Sequence, residues 1–100
     1  MILYSVTVNI DKAIESEWLQ WMKKVHMPEI MATGLLEGNK LLRLLTEIEN
    51  EGITYSCQYY FQSMEDYFTY QNLHDTVHQQ KHHSLFQNKY VSFRTLLEEV

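Results

Sequence analysis

ITYSCQYYFQSMEDYF, residues 53–68, contains the change of period on which the fold turns. Ile53, Tyr55, Cys57, Tyr59 and Phe61 alternate with Thr54, Ser56, Gln58 and Tyr60. That period of two sends successive side chains to opposite faces of a strand, and β-branched and aromatic residues suit such a surface. Two residues later, Ser63-Met64-Glu65-Asp66 reads as a capping box: a hydroxyl placed to accept from the first helical turn, with an acid at the third helical position. From there to about Gln87 nothing breaks a helix, and Asn88 closes it. A strand followed at once by a long helix is half of a strand-helix-strand unit.

Residues 90–97 complete that unit as a last strand, Val91, Phe93, Thr95 and Leu97 alternating with Tyr90, Ser92, Arg94 and Leu96. Upstream, residues 40–48 are a Leu-rich run that helix propensity alone would favour. Their length and the flanking turns Gly38-Asn39 and Asn50-Glu51-Gly52 make them a strand, paired antiparallel with residues 53–61. The N-terminal half repeats the pattern. Ile2, Tyr4, Val6, Val8 and Ile10 mark a strand over residues 2–10, Asp11 offers an N-cap, and Ile14, Trp18, Trp21, Met22 and Val25 recur at helical spacing. Pro28 can interrupt this helix and Gly34 suits the left-handed residue after a helix end, so residues 28–33 read as a short second piece.

The order β-α-β-β-α-β with right-handed crossovers predicts one ferredoxin-like α+β domain over residues 1–100. It has a four-stranded antiparallel sheet with both helices on one face, and the first and third strands are expected at its centre, parallel to each other. If each strand turns its apolar phase to the helices, the open face carries Leu3, Ser5, Thr7, Thr54, Ser56, Gln58 and Tyr60, with Tyr90, Ser92, Arg94 and Leu96 from the last strand. Tyrosines and leucines with few charges suit the same face of a second copy better than water, which predicts a homodimer through the open sheet face.

Composition bounds the partners. Thirteen acidic against eight basic side chains give a net charge of −5, with no basic run to neutralise a phosphate backbone, so no nucleic-acid partner is expected. MILYSVTVNI alternates and has no cationic leader, which predicts neither signal peptide nor membrane span, and a cytoplasmic protein. The single Cys57 fits that compartment as a small buried hydrophobe.

Five histidines are many for this length, and His74, His78 and His82 stand i, i+4, i+8, one above another on the second helix. Such spacing can share a metal ion, but no HExxH motif or cysteine pair completes a ligand set, so neither metal nor cofactor is expected. Trp18 and His26 are placed to face the gap between helices and sheet, with Tyr55, Tyr59 and Phe93 lining it from below. An aromatic-walled gap with imidazoles that titrate near neutrality suits a small planar organic ligand, and allows proton transfer to it. Arg94, read as facing the dimer interior, needs a carboxylate such as Glu47 or Glu98, or an anionic ligand, to offset its burial. An acidic hairpin over residues 47–51 offers a third reading, a protein-interaction surface.

Trp18-x-x-Trp21-Met22, His26-x-Pro28-Glu29-x-x-Ala32-Thr33-Gly34, Ser63-Met64-Glu65-Asp66-Tyr67 and Phe93-Arg94-Thr95-Leu96-Leu97-Glu98 resemble the bacterial family labelled domain of unknown function 4286. That family lies within the dimeric α+β barrel superfamily, and the similarity runs nearly end to end, from MILYSVTVN to FRTLLEEV. The resemblance implies the dimeric barrel architecture and transfers no catalytic residue, because the family has no established activity. The architecture is similar to that of cofactor-independent antibiotic-biosynthesis monooxygenases, muconolactone-isomerase-like proteins and stress-responsive barrel proteins. By analogy of fold alone this implies a cofactor-free oxygenase or isomerase as an alternative function.

Overall fold

The computed structural model describes residues 1–46 and 52–100. Strands β1 (Ile2–Asp11) and β3 (Gly52–Phe61) form the centre of a four-stranded sheet of order β2-β3-β1-β4, with β2 (Gly38–Arg43) and β4 (Tyr90–Glu98) at its edges. Every neighbouring pair is antiparallel, the central one included, which corrects the expected parallel centre. Each crossover connects strands that run the same way but lie two places apart, β1 with β2 and β3 with β4. The strand between them therefore runs the opposite way. β2 starts at Gly38, earlier than its sequence implies, and its ladder ends at Arg43. The expected continuation to Ile48, the Asn50-Glu51 part of the turn and the acidic hairpin fall partly or wholly on residues 47–51, outside the described residues.

Two helical rods cover one face. The first is a 3-10 turn (Lys12–Ile14), then α1 (Glu15–Trp21), a π turn (Met22–His26) and α2 (Met27–Met31). The second is α3 (Met64–Tyr70), a π turn (Gln71–Asp75) and α4 (Thr76–Phe86). The expected caps form: Asp11 accepts from Ala13 N at 2.9 Å and Ser63 from Asp66 N at 3.2 Å. Pro28 does not break the first rod. It sits in the first turn of α2, where a missing N–H matters least, directly after the widened π turn. Trp18, Met22, Ile30, Tyr67, Tyr70 and Phe86 of the rods pack on Ile2, Tyr4, Val8, Ile10, Tyr55, Cys57, Tyr59 and Phe61 of the two central strands. Cys57 belongs to this core, where burial pushes its thiol up to about 12.

β4 stands in the opposite phase to the one expected. Val6 lies opposite Arg94, Val8 opposite Ser92 and Tyr4 opposite Leu96, so Tyr90, Ser92, Arg94 and Leu96 face the helices. Val91, Phe93, Thr95 and Leu97 lie on the open face, where Val91 is 69% and Phe93 63% exposed. Matching apolar residues to the helix side assumes a dry core there. Under β4 the helix side borders a cavity, where Ser92 and Arg94 turn inward while Val91 and Phe93 turn outward. Among the described residues no helix is long and apolar enough to cross a membrane.

Candidate functional site

Between the rods and the β1-β4 side of the sheet lies a cavity of about 460 Å³. Tyr4, Val6 and Val8 of β1, Cys57 and Tyr59 of β3, and Tyr90, Ser92 and Arg94 of β4 form its floor; Met22, His26, Ile30, Tyr70, Asp75, His78 and His82 hang from the rods above. The π turns explain how two of these polar residues come to point there. A π turn holds one residue more than an α turn, so the inward face advances by one position. His26 and Asp75 are the last residues of their respective π turns, and both are buried. On the second rod the inward sequence becomes Tyr67, Tyr70, Asp75, His78, His82 and Phe86, while Leu73 and Val77 are turned to solvent.

Asp75 anchors a chain of hydrogen bonds across the cavity. Arg94 Nε donates to the Tyr4 hydroxyl at 2.8 Å, and that hydroxyl donates to Asp75 Oδ1 at 3.1 Å. Gln79 Nε2 donates to Asp75 Oδ2 at 2.6 Å, so each carboxylate oxygen holds a donor. Burial, reinforced by the Asp75 charge, raises the Tyr4 pKa, which keeps the phenol protonated and donating.

Burial favours the neutral form of three imidazoles, His26, His78 and His82. Trp18 Nε1 donates to His82 Nε2 at 2.8 Å, and since an indole N–H only donates, the His82 proton resides on Nδ1. Burial, then the Arg94 charge, lowers His82 to about 4. His26 stacks on Trp21 at 4.5 Å and meets His78 edge-on at 5.9 Å. Burial, then His82 and His78, lowers His26 to about 3, and its buried Nδ1 has no hydrogen-bond partner among the described residues. His78 Nδ1 pairs with the Tyr70 hydroxyl at 2.8 Å, and burial lowers its pKa as well.

Of the residues singled out in the sequence, His26, Tyr59, His78, His82 and Arg94 line this cavity. Trp18 is fully buried behind His82, and Tyr55 lies against Trp18 at 5.0 Å, its hydroxyl donating to Glu15 at 2.6 Å, away from the cavity. His74 is half-buried outside the lining, stacked on His78 at 6.2 Å. Phe93, expected in the gap, is on the reverse of the sheet because of the β4 phase. The same phase turns Arg94 towards the helices instead of a dimer interior, and the residue is exposed, so the burial expected of it does not arise. Among the described residues Arg94 makes no ion pair, Glu98 included, and Glu47 lies outside them. Tyr4, Tyr70, Asp75 and Gln79 were missed. A signal existed for Asp75, the one acid between Asp66 and Glu98, in the midst of histidines. Among the described residues no group of three or more His, Cys, Asp or Glu is placed to hold a metal ion.

Solved structures similar to this chain include an ethyl tert-butyl ether (EthD) family protein from Bacillus halodurans, at 15% identity and TM-score 0.68 over 100% of both chains. A dimeric ferredoxin-like protein from an uncultured marine organism aligns at 16% identity and TM-score 0.65, over 99% of this chain and 97% of that one. Hydroxynitrile lyase from Passiflora edulis aligns at 14% identity and TM-score 0.59, over 99% and 95%. At these identities the likeness is one of fold. No curated protein sequence matches the chain. The family model "Domain of unknown function (DUF4286)" matches residues 1–100, and the chain belongs to that family.

Proposed function

We propose that this protein is a homodimer that binds a small planar organic molecule in the helix-sheet cavity. The observation that carries the reading is the cavity itself. Its volume of about 460 Å³ lies within the roughly 300–1,000 Å³ of small-molecule sites, and its walls combine aromatic and aliphatic side chains with polar ones from both rods and β4. Burying these histidines, one with a nitrogen that has no partner among the described residues, is costly for a core that serves packing alone. Titration with indole, followed by amide NMR, is expected to shift Met22, Ile30, Tyr59 and Ser92 together, and Ser92→Phe, which fills the floor, is expected to abolish the response. Shifts scattered over the surface, or none, would remove the reading.

The homodimer rests on the open face of the sheet. Val91 and Phe93 are exposed next to each other on β4, with Leu97 beyond Thr95, while Leu42 is exposed on β2 at the opposite edge, across Thr7 and Ser56. An exposed apolar strip along one edge of the sheet is suited to an isologous contact with a second copy. A dimeric ferredoxin-like protein among the similar structures supports it. Light scattering at micromolar concentration is expected to give the mass of two chains, and of one chain for Phe93→Glu; a single-chain mass for the wild type refutes the dimer. A cytoplasmic setting belongs to the same reading, supported by a lone, buried and unbridged cysteine.

A further inference from the structure

We infer that the cavity takes an aromatic carboxylate, its anionic group held by the outer guanidinium nitrogens of Arg94 and by the Nδ1–H of His82. This deepens the small-molecule reading and rests on it.

Asp75 is already engaged at both oxygens, by Tyr4 and by Gln79. Arg94 is engaged only through Nε, so its Nη1 and Nη2 have no partner among the described residues. His82 accepts at Nε2 from Trp18, which fixes a donor at Nδ1, and that N–H has no partner among them either. The outer nitrogens of Arg94, an exposed residue, and the Nδ1–H of His82 are donors, while the buried His26 Nδ1 donates or accepts according to its tautomer, so a ligand that meets Arg94 and His82 brings acceptors.

The position of these donors narrows the class. Tyr4 secures the guanidinium by Nε, which leaves the Nη1-Nη2 edge for the end-on approach of a planar, two-oxygen acceptor. Arg94 and His82 line the same cavity, and the Arg94 charge acts directly on His82. One guanidinium, with the Asp75 carboxylate on the far side of Tyr4, suits a single negative charge better than the double charge of a phosphate monoester. A cationic ligand would meet Arg94 and find Asp75 already taken. In the same cavity Tyr59, Met22 and Ile30, with the ring of His26, supply aromatic and aliphatic surface for a ring.

Calorimetric titration with naphthoate and with its uncharged isostere naphthamide tests the inference. Naphthoate is expected to bind at least about tenfold more tightly, the range of a charge-assisted hydrogen-bonded pair. Arg94→Gln, its fold checked by circular dichroism, is expected to cut naphthoate affinity about tenfold and erase the preference. In the wild type the His82 Nδ1–H resonance is expected to move with naphthoate and not with naphthamide. If acid and amide bind alike, or Arg94→Gln leaves their ratio unchanged, the carboxylate assignment is overturned while the small-molecule reading stands. Phenylphosphate binding more tightly than benzoate overturns the assignment too. If neither naphthoate nor naphthamide binds, both readings fall.

Discussion

Between pH 7 and pH 5 the folded protein is expected to lose about 4 kcal/mol of stability, through two histidines, before ordinary carboxylates begin to titrate. In the unfolded chain an imidazole takes up its proton near pH 6.5; in the fold His82 does so only near 4 and His26 near 3. Between those values the unfolded state binds more protons, so stability falls as the pH falls. Above pH 6.5 both states are neutral and the contribution is fully present. At pH 5 each histidine has lost about 2 kcal/mol, since one unit of pH corresponds to roughly 1.36 kcal/mol per proton. For a domain with about 5–15 kcal/mol in all, that lowers the melting temperature by on the order of 20 °C. Thermal melts at the two pH values measure it. His26→Phe keeps a flat ring on Trp21 and removes one titrating group, so it is expected to halve the difference. A melting temperature that is the same at pH 7 and pH 5 would show that the imidazoles are not held neutral by the fold.

Trp18→Ala is expected to destabilise the protein by about 4 kcal/mol, in the range of roughly 3–5 for large aromatic truncations in cores. Two effects combine. The indole is 0% exposed and lies against Tyr55, so its loss opens a void between α1 and β3. It is also the donor to His82 Nε2, and removing it strands a buried acceptor, a cost of about 1–3 kcal/mol. Trp18→Phe separates the two: it retains much of the ring and loses the hydrogen bond, and about 2 kcal/mol is expected. Urea unfolding of the three proteins checks both values, and a Trp18→Ala cost below about 1 kcal/mol contradicts this account of the core.

How far the sequence disclosed this molecule depends on where each strand's faces meet water. For β1 and β3 the alternation was a faithful guide, because one face is dry packing: Ile10 and Phe61 are 0% exposed. β4 has the same alternation and its sides were read the wrong way round, because no dry core lies beneath Ser92 and Arg94. The helices failed differently. The uneasy coexistence of His78 and His82 with Leu73 and Val77 on a regular wheel was a real signal of irregularity, but a single residue's shift at Gln71–Asp75 leaves no mark in composition or spacing. Histidines could be chosen from the sequence, since imidazoles are rare enough to be conspicuous. Tyr4 could not, because a tyrosine in the apolar phase of a strand reads as packing until the carboxylate it meets, 71 positions away, is known.

The two π turns also divide how the scaffold and the cavity can be inherited. A lineage could gain or lose the surplus residue in either turn by one codon and keep the strands, caps and crossovers, because the rods would re-form as plain α-helix. What would change is the set of side chains within the turn, ahead of His26 or Asp75, each of which closes its turn. Relatives with the same sheet can therefore carry different chemistry above it, and helix length between fixed caps marks that divergence better than overall similarity does.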